Sequence, residues 1–131
     1  MTKGDWLDLT VLERKKYNCL SETMDLSRQM GEALDRNDQV SMRILVAMRQ
    51  DPILSLEEIK KAISFKLESL PPEDQERVSA LNHGASPRGE EETVYFNQAG
   101  SARRLLERVV ELDRRLNRRL AGDNSFYSKE K

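Results

Sequence analysis

Apolar positions recur at helical spacing along most of the chain, in three blocks. In the first, residues 5–36, Leu9, Leu12, Leu20, Met24, Met30 and Leu34 fall on one broad stripe. Asp5 is read as its cap, with Asp8 in the first turn; a capping box at Thr10, Val11, Leu12 and Glu13 is the alternative start. Ser27 and Gly31 share the stripe. A glycine inside a helix costs about 1 kcal/mol relative to alanine, which points either to close approach of another backbone or to a weak spot at Gly31. The segment DRNDQV then breaks the pattern, with Asn37 suited to a tight reversal and Asp38 to an N-cap. The second block, residues 39–70, carries Met42, Leu45, Ile53, Leu56, Ile59, Ile63, Leu67 and Leu70 on one side. Pro52 lies inside it. Proline removes a backbone donor and crowds the carbonyl four residues back, so a kink is expected there, the stripe continuing beyond it.

The segment LPPEDQERV closes the second helix, and Pro72 with Glu73 and Asp74 opens a short one over 72–81. The stretch NHGASPRGEEE has no periodicity, so residues 82–90 read as a linker. A last helix is expected over 91–121, stopped by Gly122 as a C′ residue, with 122–131 as a polar tail. No repeat and no strand pattern is found. The expected fold is a single all-α domain: an antiparallel helical hairpin, its second helix kinked near Pro52, plus a C-terminal amphipathic helix in a coiled-coil-like bundle.

Composition sharpens this picture without changing it. Of 131 residues, 37% are hydrophobic, 34% charged and 5% aromatic, a mixture that suits helices burying one stripe each rather than a thick core. The net charge of −1 provides no overall field toward nucleic acid or anionic lipid. A single cysteine, Cys19, excludes an internal disulfide and a multi-thiol zinc site. The opening MTKGDWLDLT lacks a basic segment followed by an apolar one, and no apolar run nears the ~20 residues of a membrane span, so a cytoplasmic protein is expected.

The last helix contains the densest chemistry. Ala102, Leu105, Val109, Leu112, Leu116 and Leu120 follow heptad spacing, and this seam must be buried against the hairpin or another chain. Around it stand seven arginines, at 103, 104, 108, 114, 115, 118 and 119, against three acids, Glu107, Glu111 and Asp113. Arg103 with Glu107 and Glu111 with Arg115 have i,i+4 spacing, which interrupts any continuous basic track. Interleaved carboxylates oppose the counterion release that drives phosphate binding, so the arginines read as a solvated, self-paired face whose stems cover the seam's shoulders. Asp113 falls on the apolar edge and needs a cation; Lys16 or a residue of a bound protein is the candidate.

Catalytic and metal patterns are not found. His83 stands alone in the linker, and Cys19 sits mid-helix, where a packing thiol is expected rather than a nucleophile. No phosphate-cradling loop, nucleophile elbow or paired metal-binding histidines occur. The reading is a non-enzymatic protein with no cofactor. Met24, Met30, Met42 and Met48 cluster around the reversal, either as core or as an adaptable binding surface.

The order LSETMDLSRQMGEALDRND, then QVSMRILVAMRQDPILSLEEI, then SARRLLERVVELDRRLNRRL resembles the FlgN-type (FlgN/FliT-like) flagellar export chaperones in layout and length over nearly the whole chain. The resemblance implies a small all-helical cytoplasmic chaperone that keeps hook–filament junction proteins unassembled and delivers them to the type III export apparatus. It also implies that the C-terminal helix engages the client's amphipathic terminal helix, which by position means Ala102, Leu105, Val109, Leu112, Leu116 and Leu120. Two other readings stay open: a homodimeric structural coiled coil using the same seam, and a nucleic-acid-associated regulator using the arginine face.

Overall fold

The computed structural model describes the backbone of residues 1–130 and the side chains of residues 1–122. The chain forms an all-α bundle of four helices, α1 (Lys3–Asp35), α2 (Gln39–Glu68), α3 (Pro72–Asn82) and α4 (Gly89–Glu130). The starts of α1 and α2 are set by side chains that accept from free N–H donors of the first turn. At α1 the cap is Thr2: its Oγ1 accepts from the Asp5 N–H at 3.0 Å, and Asp5 Oδ2 accepts from the Thr2 N–H at 3.1 Å. Asp5 is therefore the reciprocal partner in a capping box and not the cap itself. The box expected at 10–13 lies inside the helix, where the Thr10 hydroxyl donates to the Trp6 carbonyl at 2.8 Å.

Asn37 takes a positive φ of 56° to reverse the chain, and Asp38 caps α2 by accepting from the Ser41 N–H at 3.0 Å and its hydroxyl at 2.6 Å. This φ suits asparagine better than most side chains. α2 runs unbroken through Pro52, which is buried. Pro72 occupies the first turn of α3, where a missing N–H costs nothing. The loop before α4 is 83–88, shorter than the linker expected over 82–90. At the other end α4 does not stop at Gly122: its backbone stays helical to Glu130. Glycine permits the left-handed turn of a C′ residue without requiring it, and Gly122 is not at positive φ. The expected polar tail is thus helical in backbone through 130; its side chains and residue 131 lie outside the described residues.

α1 is the central helix, packed extensively on both α2 and α4. α2 returns along it, with Lys66 against Asp5 and Leu45 against Met30. α3 and its loop then carry the chain back to the start of α1. α4 consequently runs parallel to α1, from Lys3–Glu91 at one end to Asp35–Arg119 at the other. Three apolar layers stack along the axis. The first joins Trp6, Leu9, Leu70, Val78, Leu81, Tyr95 and Ala99; Trp6 and Tyr95 lie tilted, with ring centroids 5.5 Å apart. Leu20, Leu56, Leu105 and Val109 form the second, and Leu26, Met30, Ala33, Leu45 and Leu116 the third. α1 contributes to all three, whereas α2 fully buries only Leu45, Pro52 and Leu56.

Two polar side chains at the first layer, Tyr95 and Glu92, are paired. The Tyr95 hydroxyl donates to Asn82 Oδ1 at 3.0 Å, and burial, reinforced by the Glu13 carboxylate, pushes its pKa up to about 12. Glu92 accepts from Arg77 at 2.6 Å and from the Arg88 N–H at 3.1 Å. Burial opposes its charge, but these donors outweigh it and hold the carboxyl below its usual range.

Gly31 does not meet another backbone. The nearest atom to a β-carbon there would be Leu116 Cδ2 at 3.8 Å, an ordinary contact distance. Gly31→Ala should therefore raise stability by about 1 kcal/mol in urea unfolding, the full helix-propensity difference, with no offsetting clash. A second expectation concerns acid. Lys66, followed by the Thr2 N–H, lowers the Asp5 pKa from 3.8 to about 2. A depressed carboxylate stabilises the fold above its unfolded pKa and loses that contribution as pH falls through the folded value. Melting temperature should thus decline between about pH 4 and pH 2, and Asp5→Asn should flatten that part of the profile.

Candidate partner-binding site

The heptad seam of α4 faces α1. Ala102, Leu105, Val109 and Leu116 are buried, and Leu112 and Leu120 are half-buried. Leu105 and Val109 pack with Leu20, and Leu116 packs with Met30 and Leu45, so α1, with α2 behind it, already covers these three. Leu112 lies at the margin of the third layer and opens onto a shallow groove of about 430 Å³ between α1 and α4. Met24 and Leu112 are its apolar lining, and Arg28, Glu107, Arg108, Glu111 and Arg115 surround them. Alternating charge around a narrow apolar strip suits the side of an amphipathic helix better than a small molecule.

The arginines divide by position. Arg119 bridges to Asp35 at 2.8 Å, which fastens α4 to the end of α1. Arg115 pairs with Glu111 at 3.4 Å, as the i,i+4 spacing predicts. Arg103 does not take Glu107; it donates to the Asn82 carbonyl at 3.0 Å, because the end of α3 lies within reach. A carbonyl at a helix C-terminus carries partial negative charge and competes well with an exposed carboxylate.

Asp113 has its cation, and it is not Lys16. Arg49 of α2 reaches across, with Nη1 2.7 Å from Asp113 Oδ1 and 3.1 Å from Ser27 Oγ, and the serine hydroxyl is 3.4 Å from the same carboxylate oxygen. Ser27 is fully buried and Arg49 partly so, its side chain 18% exposed, while Asp113 keeps one side toward water. This node joins three helices, and it is a direct polar link from α2 to α4. Lys16 instead stands 3.3 Å from Glu13 on its own helix. Glu13 is 5% exposed, and its Oε2 lies outside hydrogen-bond geometry with that ammonium. Both Arg49 and Glu13 are legible in hindsight, each being a charge at i+4 from a core leucine (Leu45 and Leu9) on an apolar stripe.

Other candidates fall where local chemistry puts them. His83 is the C-cap of α3, its Nδ1 2.7 Å from the Ser79 carbonyl. Cys19 packs at the edge of the middle layer, and burial, then Glu22, raises its thiol pKa, the opposite of an activated nucleophile. Met30 is core, Met24 and Met42 are half-buried, and Met48 is exposed. Among the described residues no cluster of His, Cys, Asp or Glu has the grouping needed to hold a metal ion. No described helix is long and apolar enough to cross a membrane. In comparisons with protein-family models, curated proteins and solved structures, none matches this chain.

Arg49→Ala strips the counter-charge from Asp113 and a donor from buried Ser27. It should cost about 1–3 kcal/mol in denaturant unfolding, less than a fully buried pair because water reaches Asp113. The double change Arg49→Met with Asp113→Leu should recover most of that loss, since apolar side chains of similar volume replace a balanced pair without leaving a lone charge.

Proposed function

We propose that this protein is a client-binding helical chaperone of the flagellar export type, which shields the amphipathic terminal helix of hook–filament junction proteins before their export. On this reading α1 and α2 are the antiparallel coiled-coil-like hairpin, bent at Pro52, and α4 is the client-engaging helix. The protein works in the cytoplasm, hands its client to the export apparatus, and needs no cofactor. Support comes from the order and lengths of the helices and from the residues that carry the resemblance.

The single observation that carries the proposal is that α4 rests chiefly on one neighbour. α1 covers Leu105, Val109 and Leu116, yet Leu112 opens onto the α1–α4 groove beside Met24. A client helix laid there continues the heptad spacing as a third strand, contacting Leu112 and Met24 with its apolar side. Its polar flanks meet the alternating arginines and glutamates. Ala102, Leu105, Val109, Leu116 and Leu120 then act by holding α4 in place or, if α4 swings off α1, by direct contact.

Titration with synthetic C-terminal peptides of hook-associated proteins tests this. A one-to-one complex with added helical circular dichroism is expected, and Leu112→Ser should weaken it about tenfold, or about 1.4 kcal/mol. Leu112 is half-buried at the margin, so the variant is checked for an unchanged fold by its melting curve. Absence of binding by any such peptide, or binding indifferent to Leu112→Ser, sinks the assignment. The salt dependence separates an arginine-face nucleic-acid reading, which demands a steep loss of duplex or single-strand binding as ionic strength rises.

A further inference from the structure

The outward face of α2 bears a second heptad seam, which the fold leaves in water. Val40, Ile44, Ala47, Asp51, Leu54 and Glu58 follow one another at alternating spacings of four and three, on the side turned away from Leu45, Pro52 and Leu56. Val40 is 69% exposed, Leu54 61%, Ile44 55% and neighbouring Met48 50%. Together they expose on the order of 400 Å² of surface, in the range of the largest apolar patch on a folded monomer, which is often functional.

The charges select the occupant. Arg43 flanks the seam on one side near its start, and Glu57 flanks the same side two heptads later. Arg43 has no ion pair among the described residues, and Glu57 meets only the exposed Lys60 at 3.6 Å. The same helix, reversed, presents these charges in complementary order. We propose that a second copy of this chain covers this face, the two α2 helices packing antiparallel about a two-fold axis. In the register that sets Ile44 against Leu54 of the other copy, Arg43 falls beside Glu57 of the other copy and Met48 meets its counterpart. Ala47, the smallest residue on the face, lies opposite Asp51 and leaves that carboxylate an opening to water. Glu58 reaches the rim beyond Val40. Two-fold symmetry makes each contact off the axis occur twice: Ile44 with Leu54 is apolar against apolar, Arg43 with Glu57 is guanidinium beside carboxylate, and the exposed Asp51 and Glu58 stay at openings to water. The area per copy is below the ~800 Å² of a standard interface, so a weak, concentration-dependent dimer is expected. This surface excludes α4 and its groove, and the inference does not rest on the client reading.

Sedimentation velocity of the full chain across the micromolar range tests it, with circular dichroism to confirm that each variant folds. Wild type should pass from monomer to dimer, and Leu54→Glu should hold it monomeric. Arg43→Glu should weaken association about tenfold or more through like charges, and adding Glu57→Arg should restore it. A chain that stays monomeric throughout overturns the proposal. So does a dimer that survives Leu54→Glu, a dimer lost with Leu112→Ser instead, or a charge exchange that fails to restore association.

Discussion

A single helix covered on two sides organises this molecule. α1 supplies members to all three apolar layers, and neither α2 nor α4 closes a layer without it. Such a helix needs a wide buried arc, so its surface must be apolar or internally satisfied around more than half its circumference. That accounts for residues that look misplaced on a simple stripe. Thr23 donates to the Cys19 carbonyl at 2.8 Å, Ser27 takes part in the Arg49–Asp113 node, and Glu13 is held beside Lys16. Each polar group on the buried arc is small, turned back on the helix, or near an opposite charge.

The outer helices inherit the converse freedom. Each packs on α1 along one side, α4 also meeting α3 near its start, and most of the remainder faces water. α4 uses its exposed sides for arginine and glutamate, which make local pairs and fasten it at Asn82 and Asp35. α2 is more apolar on its outer side, and only three of its residues are fully buried. The Arg49–Asp113 bridge spans the gap between these helices, where side chains long enough to reach replace direct backbone packing. Its distance of 2.7 Å and the buried serine beneath it make it a positional lock more than a source of net stability.

This architecture matters to function through what it leaves accessible. The seam of α4 is mostly occupied, so the client binding we propose would use its margin, by way of Leu112, or exchange of α4 for another helix. Exchange must overcome the burial of Leu105, Val109 and Leu116, each worth about 1.5–3 kcal/mol when fully removed from water. The margin requires no such opening. The exposed strip on α2 is available without any rearrangement.

The chain's own letters determined the helices. Stripe periodicity at 9–34, 42–70 and 102–120 is a local property with a 3.6-residue repeat, and the reversal at Asn37, the cap at Asp38 and Pro72 at the start of α3 are equally local. Local signals misled where two groups offered the same service. Thr2 outcompeted Asp5 as cap by forming a reciprocal box with it, and Gly122 was passed over because glycine tolerates a helix as well as a turn. Tertiary structure alone decided which helix α4 lies on, that it runs parallel to α1, and that Arg49 rather than Lys16 answers Asp113. Those outcomes depend on which faces meet across sixty or more residues of chain, and spacing along one helix holds no record of its neighbour's direction.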